Sequence, residues 1–161
     1  MRVSAKADYA IRAVVELAAA EGTGQLRADK IAEAQDIPIK FLESILLELK
    51  HAGIVRSQRG AEGGYALARP GTDISLADVI RAVDGPLANV RGDRPENVTY
   101  KGSAVRLTDV WIAVRARLRS VLESTSVADL ASGTLPEDVE QLSRDPDNWV
   151  SLGRIRGSGV R

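Results

Sequence analysis

The 161-residue sequence contains no cysteine. A disulfide framework, a cysteine nucleophile, a thiolate zinc site and a cysteine-ligated iron–sulfur cluster are therefore excluded. The same absence fits a reducing compartment. Aromatic residues are scarce, at 4%. Alanine, valine and leucine dominate instead, which favours small-residue helix packing over a β-sandwich. No apolar run approaches the roughly 20 residues needed to span a bilayer. No segment has the layout of a secretory leader. A soluble cytoplasmic protein is expected. Charge of one sign is not in excess: 22 Lys and Arg balance 22 Asp and Glu, for a formal net charge of zero. A strongly basic domain is the usual footprint of a nucleic-acid binder. Here a nucleic-acid partner must be supported by local pattern.

What is present is helical periodicity with sharp punctuation. Ser4 suits the N-cap of a first helix, and Tyr9, Ile11, Val14, Val15, Leu17 and Ala18 recur at helical spacing behind it. The glycines of Glu21-Gly22-Thr23-Gly24 end that helix. A short second helix is predicted over 28–35, with Ile31 and Ala32 inward, and Asp36-Ile37-Pro38 breaks it. Pro38 fits the first turn of a third helix, where its missing N–H costs nothing. Phe41, Leu42, Ile45, Leu46 and Leu49 form the predicted buried stripe of that helix, and Gly53 caps it. Two short helices joined by a tight break are the pattern of a helix-turn-helix.

The following residues extend the pattern. Ile54 to Arg59 has strand character, Gly60-Ala61-Glu62-Gly63-Gly64 is a glycine-rich turn, and Tyr65 to Arg69 returns as a second strand. A hairpin directly after the second helix of a helix-turn-helix is a wing. Ser75-Leu76-Ala77-Asp78 has capping-box spacing, with aspartate in place of glutamate, and opens a short helix ending at Gly85-Pro86. Residues 87–105 read as a loop, and an irregular loop of this length is uncommon and often functional. Leu107, Val110, Trp111, Val114, Leu118, Val121 and Leu122 then follow a three-and-four spacing, which predicts a long amphipathic helix. Thr125 or Ser126 starts one more short helix through Leu130. Residues 136–161 read as a polar tail, with Trp149 an isolated anchor and the Gly/Ser/Arg end disordered.

These stretches resemble the Rrf2 family of bacterial winged helix-turn-helix regulators. The matching residues are Lys6-Ala7-Asp8-Tyr9-Ala10-Ile11-Arg12-Ala13, Ile37-Pro38 with Phe41-Leu42, and Leu49 with Ala52-Gly53-Ile54-Val55. They continue through Ser57-Gln58-Arg59-Gly60, Gly63-Gly64-Tyr65 with Leu67-Ala68-Arg69, Ile74-Ser75-Leu76, and Ile80 to Pro86. The resemblance is dense to about residue 87 and looser to about Leu130. It implies a mainly α fold with a small β-hairpin wing and a long dimerisation helix. Its division would be a DNA-binding domain at 1–86, a sensor-type loop at 87–105, a dimerisation helix and short helix at 106–135, and the tail. It also implies a homodimer that binds operator DNA through the third helix and the wing. Many members hold an iron–sulfur cluster on three cysteines in the loop. This sequence has none, so cluster sensing does not carry over.

Within that resemblance, Arg59 stands where the family places a minor-groove arginine. A narrow A·T groove concentrates negative potential and attracts a guanidinium. Lys40, Glu43, Ser44 and Leu47 lie opposite the predicted buried stripe and are expected to face the major groove. Pro38 and Phe41 are grouped with them at the start of that helix. Ser4, Lys6, Tyr9 and Arg56 are candidate phosphate contacts, with Tyr9 equally suited to the core. Gly60, Gly63 and Gly64 are expected to let the wing approach the sugar-phosphate chain. Leu107, Val110, Trp111, Val114, Leu118, Val121 and Leu122 are the expected dimer interface. Arg91, Arg94, Tyr100 and Lys101 make the loop a candidate effector site, against which stands internal pairing of its arginines with Asp93 and Glu96.

No metal, cofactor or enzymatic activity is expected. Asp93, Glu96 and Asp109 have no partner histidine, metal motif or phosphate loop, and His51 stands alone near a helix end. The alternative to autonomous operator binding is a winged-helix regulator that works through a small metabolite or a partner protein. The neutral net charge favours the partner-protein form of that alternative.

Overall fold

The computed structural model describes residues 2–150, so the predicted disorder of the Gly/Ser/Arg end lies outside the described residues. Helix α1 (Ala5–Ala19) starts at Ser4, whose hydroxyl accepts the Ala7 N–H at 2.9 Å. Helix α2 (Ala28–Gln35) ends at Asp36, which takes a left-handed conformation with φ 50°. Aspartate tolerates this region better than most side chains, and the reversal it makes is the turn of the helix-turn-helix. Helix α3 (Ile39–His51) follows at once. Pro38 is its N-cap, one step earlier than the first-turn position expected, and its carbonyl accepts from Phe41 and Leu42.

Strands β1 (Val55–Gln58) and β2 (Gly64–Leu67) pair antiparallel, Val55 with Leu67 through Gln58 with Gly64. A third segment joins them. Leu26 bridges Tyr65 on the far side of β2, through backbone bonds of 2.9 and 2.7 Å. The wing is therefore tied to the chain just ahead of α2. Helix α4 (Leu76–Asp84) has the capping box expected at Ser75 and Asp78.

The core lies between α1, α3 and α4. Ala7, Ala10, Ala13, Val14 and Leu17 of α1 pack with Ile31, with Leu42, Ile45, Leu46 and Leu49 of α3, and with Ile74 and Val79. Each of the larger side chains contributes about 1.5–3 kcal/mol by leaving water. Phe41 does not belong to this group: it is 38% exposed. It sits about a quarter-turn off the centre of the Leu42–Ile45–Leu46–Leu49 stripe, at the flank of the helix.

Residues 85–106 are less free than the sequence suggests. Val90 and Asp93 close a tight turn, and 3₁₀ turns form at Pro95–Asn97 and Gly102–Ala104. Ala88, Pro95 and Val98 are buried. Helix α5 (Leu107–Ser124) then runs for 18 residues without burying one of them. Helix α6 (Val127–Ser132) returns to the first core through a second capping box, Ser126 with Asp129. Val127 is fully buried against α1, and its N–H donates to Ile74. The sequence groups α6 with the long helix, whereas its packing is with residues 1–86. Helix α7 (Glu137–Arg144) and a 3₁₀ turn at Pro146–Trp149 replace the tail predicted beyond residue 135. The sequence of α7 is polar on most sides, so hydrophobic periodicity gives little signal there. Among the described residues no helix is long and apolar enough to cross a membrane.

Candidate nucleic-acid interface

Four leucines and isoleucines anchor one side of α3, and the geometry of the helix fixes what the other side presents. Lys40, Ser44, Leu47 and His51 fall on one outward line, three and four residues apart. Leu47 is 53% exposed. Glu43 lies on the flank of that line and pairs with Lys40 at 3.2 Å. An exposed i,i+3 pair of this kind contributes little to stability and is easily given up.

The wing stands beside this helix and encloses an open cleft of about 590 Å³ with it. Glu43 and Lys50 line the cleft from α3, Arg27 and Asp29 from the start of α2, and Ser57, Gln58, Arg59, Gly60, Gly63 and Gly64 from the hairpin. Arg59 is exposed and makes no hydrogen bond or ion pair among the described residues. A guanidinium in that position carries all its donors outward. Gly63 and Gly64 have an internal reason to lack a side chain. A Cβ on Gly63 would lie 2.5 Å from the Gln58 carbonyl oxygen, and one on Gly64 would lie 2.7 Å from that of Leu26. The close approach these glycines allow is first of all to their own backbone.

The remaining predicted contacts fall elsewhere. Tyr9 is half-buried, meets the Phe41 ring edge-on at 5.6 Å, and carries the Arg12 guanidinium 5.2 Å from its centroid. Lys6 pairs with Glu48 at 2.7 Å. The Ser4 hydroxyl donates to Asp84 at 2.5 Å while capping α1. Arg56 points to the opposite face of the hairpin and donates from Nε to the Leu67 carbonyl at 3.1 Å. The structure thus gathers Glu43, Arg59, Gly60, Gly63 and Gly64 into one cleft and gives Ser4, Lys6 and Arg56 internal partners. The sequence reading missed Arg27, Asp29 and Lys50. A basic residue just ahead of a helix N-terminus was the available signal for Arg27. The Asp29 carboxyl is held below its usual range, chiefly by a hydrogen bond from Arg27. Along the cleft the cations Arg27, Lys50 and Arg59 outnumber the anions Asp29 and Glu43. The neutral chain therefore carries a locally positive surface.

In the loop, Arg91 lies over the Tyr100 ring at 6.0 Å, and the Tyr100 hydroxyl accepts the Trp111 indole N–H at 3.1 Å. The expected pairing of Asp93 with the loop arginines is not made. Glu96 pairs instead with Arg115 of α5. Lys101 is exposed and precedes the second 3₁₀ turn.

An outward helix beside a three-segment wing is the architecture of a winged helix-turn-helix, the build of DNA-binding transcriptional regulators. The family is equally clear. The chain belongs to the Rrf2 family, described as iron-dependent transcriptional regulators, whose sequence profile matches residues 3–133. It is 55% identical over 145 residues to Rv1287 of Mycobacterium tuberculosis, assigned as an HTH-type transcriptional regulator, covering 90% of each chain. It is 34% identical over 134 residues to the HTH-type transcriptional regulator CymR of Bacillus subtilis, covering 83% of this chain and 92% of CymR. The solved structure of that protein, the global cysteine regulator of B. subtilis, superposes with a TM-score of 0.72 over 83% of this chain and 98% of CymR. The structure of IscR from T. potens superposes with a TM-score of 0.67 at 33% identity, over 83% and 88% of the two chains.

The family description raises the question of iron. The donor set here does not fit a thiolate-held cluster. The chain has no cysteine and one histidine, and that histidine is exposed at the end of α3. Between α4 and α5 the carboxylates are Asp93 and Glu96, the latter already taken by Arg115.

Proposed function

We propose that two copies of this chain pair through α5 and bind a pseudo-palindromic operator, acting as a cytoplasmic repressor whose signal does not come through a cysteine-ligated cluster. Residues 1–86 form the reading head, 87–105 the sensing segment and 106–135 the pairing element. The observation that carries this reading is the cleft shared by α3 and the wing, with Arg59 unpaired at its edge. The Lys40–Ser44–Leu47 line suits the major groove and Arg59 the adjacent minor groove. Glu43 accepts from cytosine N4 and repels phosphate, so it selects bases by penalising wrong ones. Tyr9 and Lys6 flank the head as phosphate contacts, with Lys6 exchanging Glu48 for a phosphate oxygen. Pairing is supported by α5 itself: Val110 is 50% exposed, and Trp111, Val114, Leu118, Val121 and Leu122 are each only half covered by their own chain. An isologous partner is the commonest cover for such a helix.

The test is to incubate the full chain with fragments of its own genome and sequence what is retained. Inverted repeats with half-sites about one helical turn, roughly 10 bp or a small multiple, apart are expected. Affinity should fall steeply with salt as condensed counterions cease to be released. Recovery of no common sequence, with retention insensitive to salt, would overturn the reading. It would favour instead a winged-helix regulator that acts through a partner protein, for which the zero net charge is the supporting observation.

A further inference from the structure

A second hollow, of about 480 Å³, lies between the end of α4, the loop and α5. Arg81 reaches it from α4, Arg94 from the loop, and Arg115 and Arg119 from successive turns of α5. Four guanidiniums from three separate elements converge there. Leu87 and Pro86 supply an apolar floor. The carboxylates nearby are fewer. Glu96 holds Arg115, and Glu123 is shared by Arg81 and Arg119, at 3.0 Å from Arg119 Nε. Asp78 is at 3.9 Å from Arg81. Arg94 makes no ion pair and no side-chain hydrogen bond among the described residues.

We propose that this hollow binds a small polyanionic metabolite, with Arg94 and Arg119 as its main contacts and Arg115 released to it by Glu96. The proposal concerns regulation and rests on the DNA-binding reading only for its consequence, not for the binding itself.

Three observations carry it. A guanidinium presents five donors in a planar fork that matches carboxylate and phosphate oxygens. Most of the donors here have no acceptor: Arg119 uses Nε alone, and Arg94 uses none. Like charges gathered from α4, the loop and α5 repel one another, and two shared carboxylates leave an excess of positive charge. That excess is felt by the carboxylates. Glu96 is held below its usual range by its own backbone N–H and by Arg115, with a further contribution from the charge of Arg94. Glu123 is held down in the same way by hydrogen bonds from Arg81 and Arg119. The hollow is also built across elements that ion pairs tie to one another. Glu96–Arg115 is the ion pair that latches the loop to α5, and Arg81–Glu123 latches α4 to α5. An anion that competes with Glu96 for Arg115 exchanges one latch for another. It therefore changes how α5 sits on the reading head, which is the input a regulator of this build needs. Of the loop cations, Arg94 lines the hollow beside Arg81, Arg115 and Arg119, whereas Arg91 is turned onto Tyr100.

The experiment titrates the full chain with citrate and, separately, with inorganic pyrophosphate. Sodium chloride keeps the ionic strength constant, and binding is read by calorimetry and thermal unfolding. Saturable binding by at least one of the two is expected, and the two arms separate a carboxylate ligand from a phosphate ligand. Arg94→Ala with Arg119→Ala should weaken binding tenfold or more. Both side chains are exposed, so the variant folds, which circular dichroism checks. Glu96→Gln should bind several-fold tighter, because it removes a competing carboxylate, whereas a merely structural role for Glu96 predicts no gain. No saturable binding by either probe overturns the proposal. So does equal binding by the double arginine variant, or failure of Glu96→Gln to bind more tightly. DNA retention measured on the same preparation is scored separately, so a protein that binds DNA and ignores both anions refutes this inference alone.

Discussion

Helices α3 and α5 are both amphipathic, yet they stand in opposite relations to their own chain. Of the 13 residues of α3, Leu42, Ile45, Leu46 and Leu49 are fully buried. Of the 18 residues of α5, none is. The position of α3 is thus dictated by the core, and its outer face is free to serve a ligand that contributes nothing to folding. The position of α5 is set by scattered contacts: Thr125 and Val127 bond into the first core just past its end, Tyr100 and Val98 hold its start to the loop through Trp111 and Thr108, and Glu96 and Arg81 pair with Arg115 and Glu123. Between those contacts its apolar stripe is only half covered. One helix is fixed by the core beneath it; the other keeps an apolar stripe that its own chain only half covers.

Substitutions that exchange the two situations test this contrast. The largest effect is expected on α5. Val110→Asp places a charge where the proposed pairing would bury it, at a cost of about 3–5 kcal/mol when no partner charge is present. Sedimentation should show a monomer with unchanged helicity. A Val110→Asp protein that still sediments as a dimer would move the interface elsewhere. Next comes α3. Leu46→Ala should cost about 2–5 kcal/mol in urea unfolding, through lost burial and the cavity left behind. Leu47→Ala, one residue on and exposed, should stay within about 0.5 kcal/mol. Equal costs would mean that the two faces of α3 are not what they are taken to be. Arg59→Ala follows, with roughly 1–3 kcal/mol of operator binding lost and folding stability unaffected. An unchanged gel-shift titration would remove the wing arginine from recognition.

The uneven legibility of the two halves has the same physical origin. Positions such as Ser4, Gly53, Ser75, Asp78 and Gly85 announce helix ends by local chemistry that needs no tertiary context, and each stands where the sequence placed it. The stripe of α3 was legible because a core demands it. Phe41 was misjudged because apolarity alone does not distinguish the centre of a stripe from its flank. The Leu26–Tyr65 bridge was invisible because it is a pairing between residues 39 apart whose only signal is one backbone exchange. The ion pairs of the loop were misassigned for a similar reason. Sequence proximity suggested that Glu96 would neutralise Arg91 or Arg94, yet the chain folds it onto Arg115, about two turns inside α5. Surface pairs are weak individually and are settled by where the backbone has already gone. The outward line of α3 and the glycine-rich wing were legible as a pattern, whereas the place of Arg27, Asp29 and Lys50 in the cleft between them came only with the fold.

The smallest expected effect concerns the ends of α5. Glu96 is held below the ordinary value of 4.5 by its own backbone N–H and by Arg115, and Glu123 by Arg81 and Arg119. A carboxylate whose pKa is depressed by folding contributes stability above its ordinary value, and that contribution is lost as pH falls through the depressed one. Both side chains are open to solvent, so the loss is modest and screened by salt. Acidification from neutrality should therefore leave α5 in place down to the ordinary carboxylate range and loosen it below. Trp111, bonded to Tyr100 at the loop end of that helix, reports the change by fluorescence, with Trp149→Phe removing the other indole. Glu96→Gln combined with Glu123→Gln should flatten the acid transition, because neither side chain then has a proton to gain. A Trp111 profile identical in that variant would place the acid sensitivity in other carboxylates and leave the two latches without a share in holding α5.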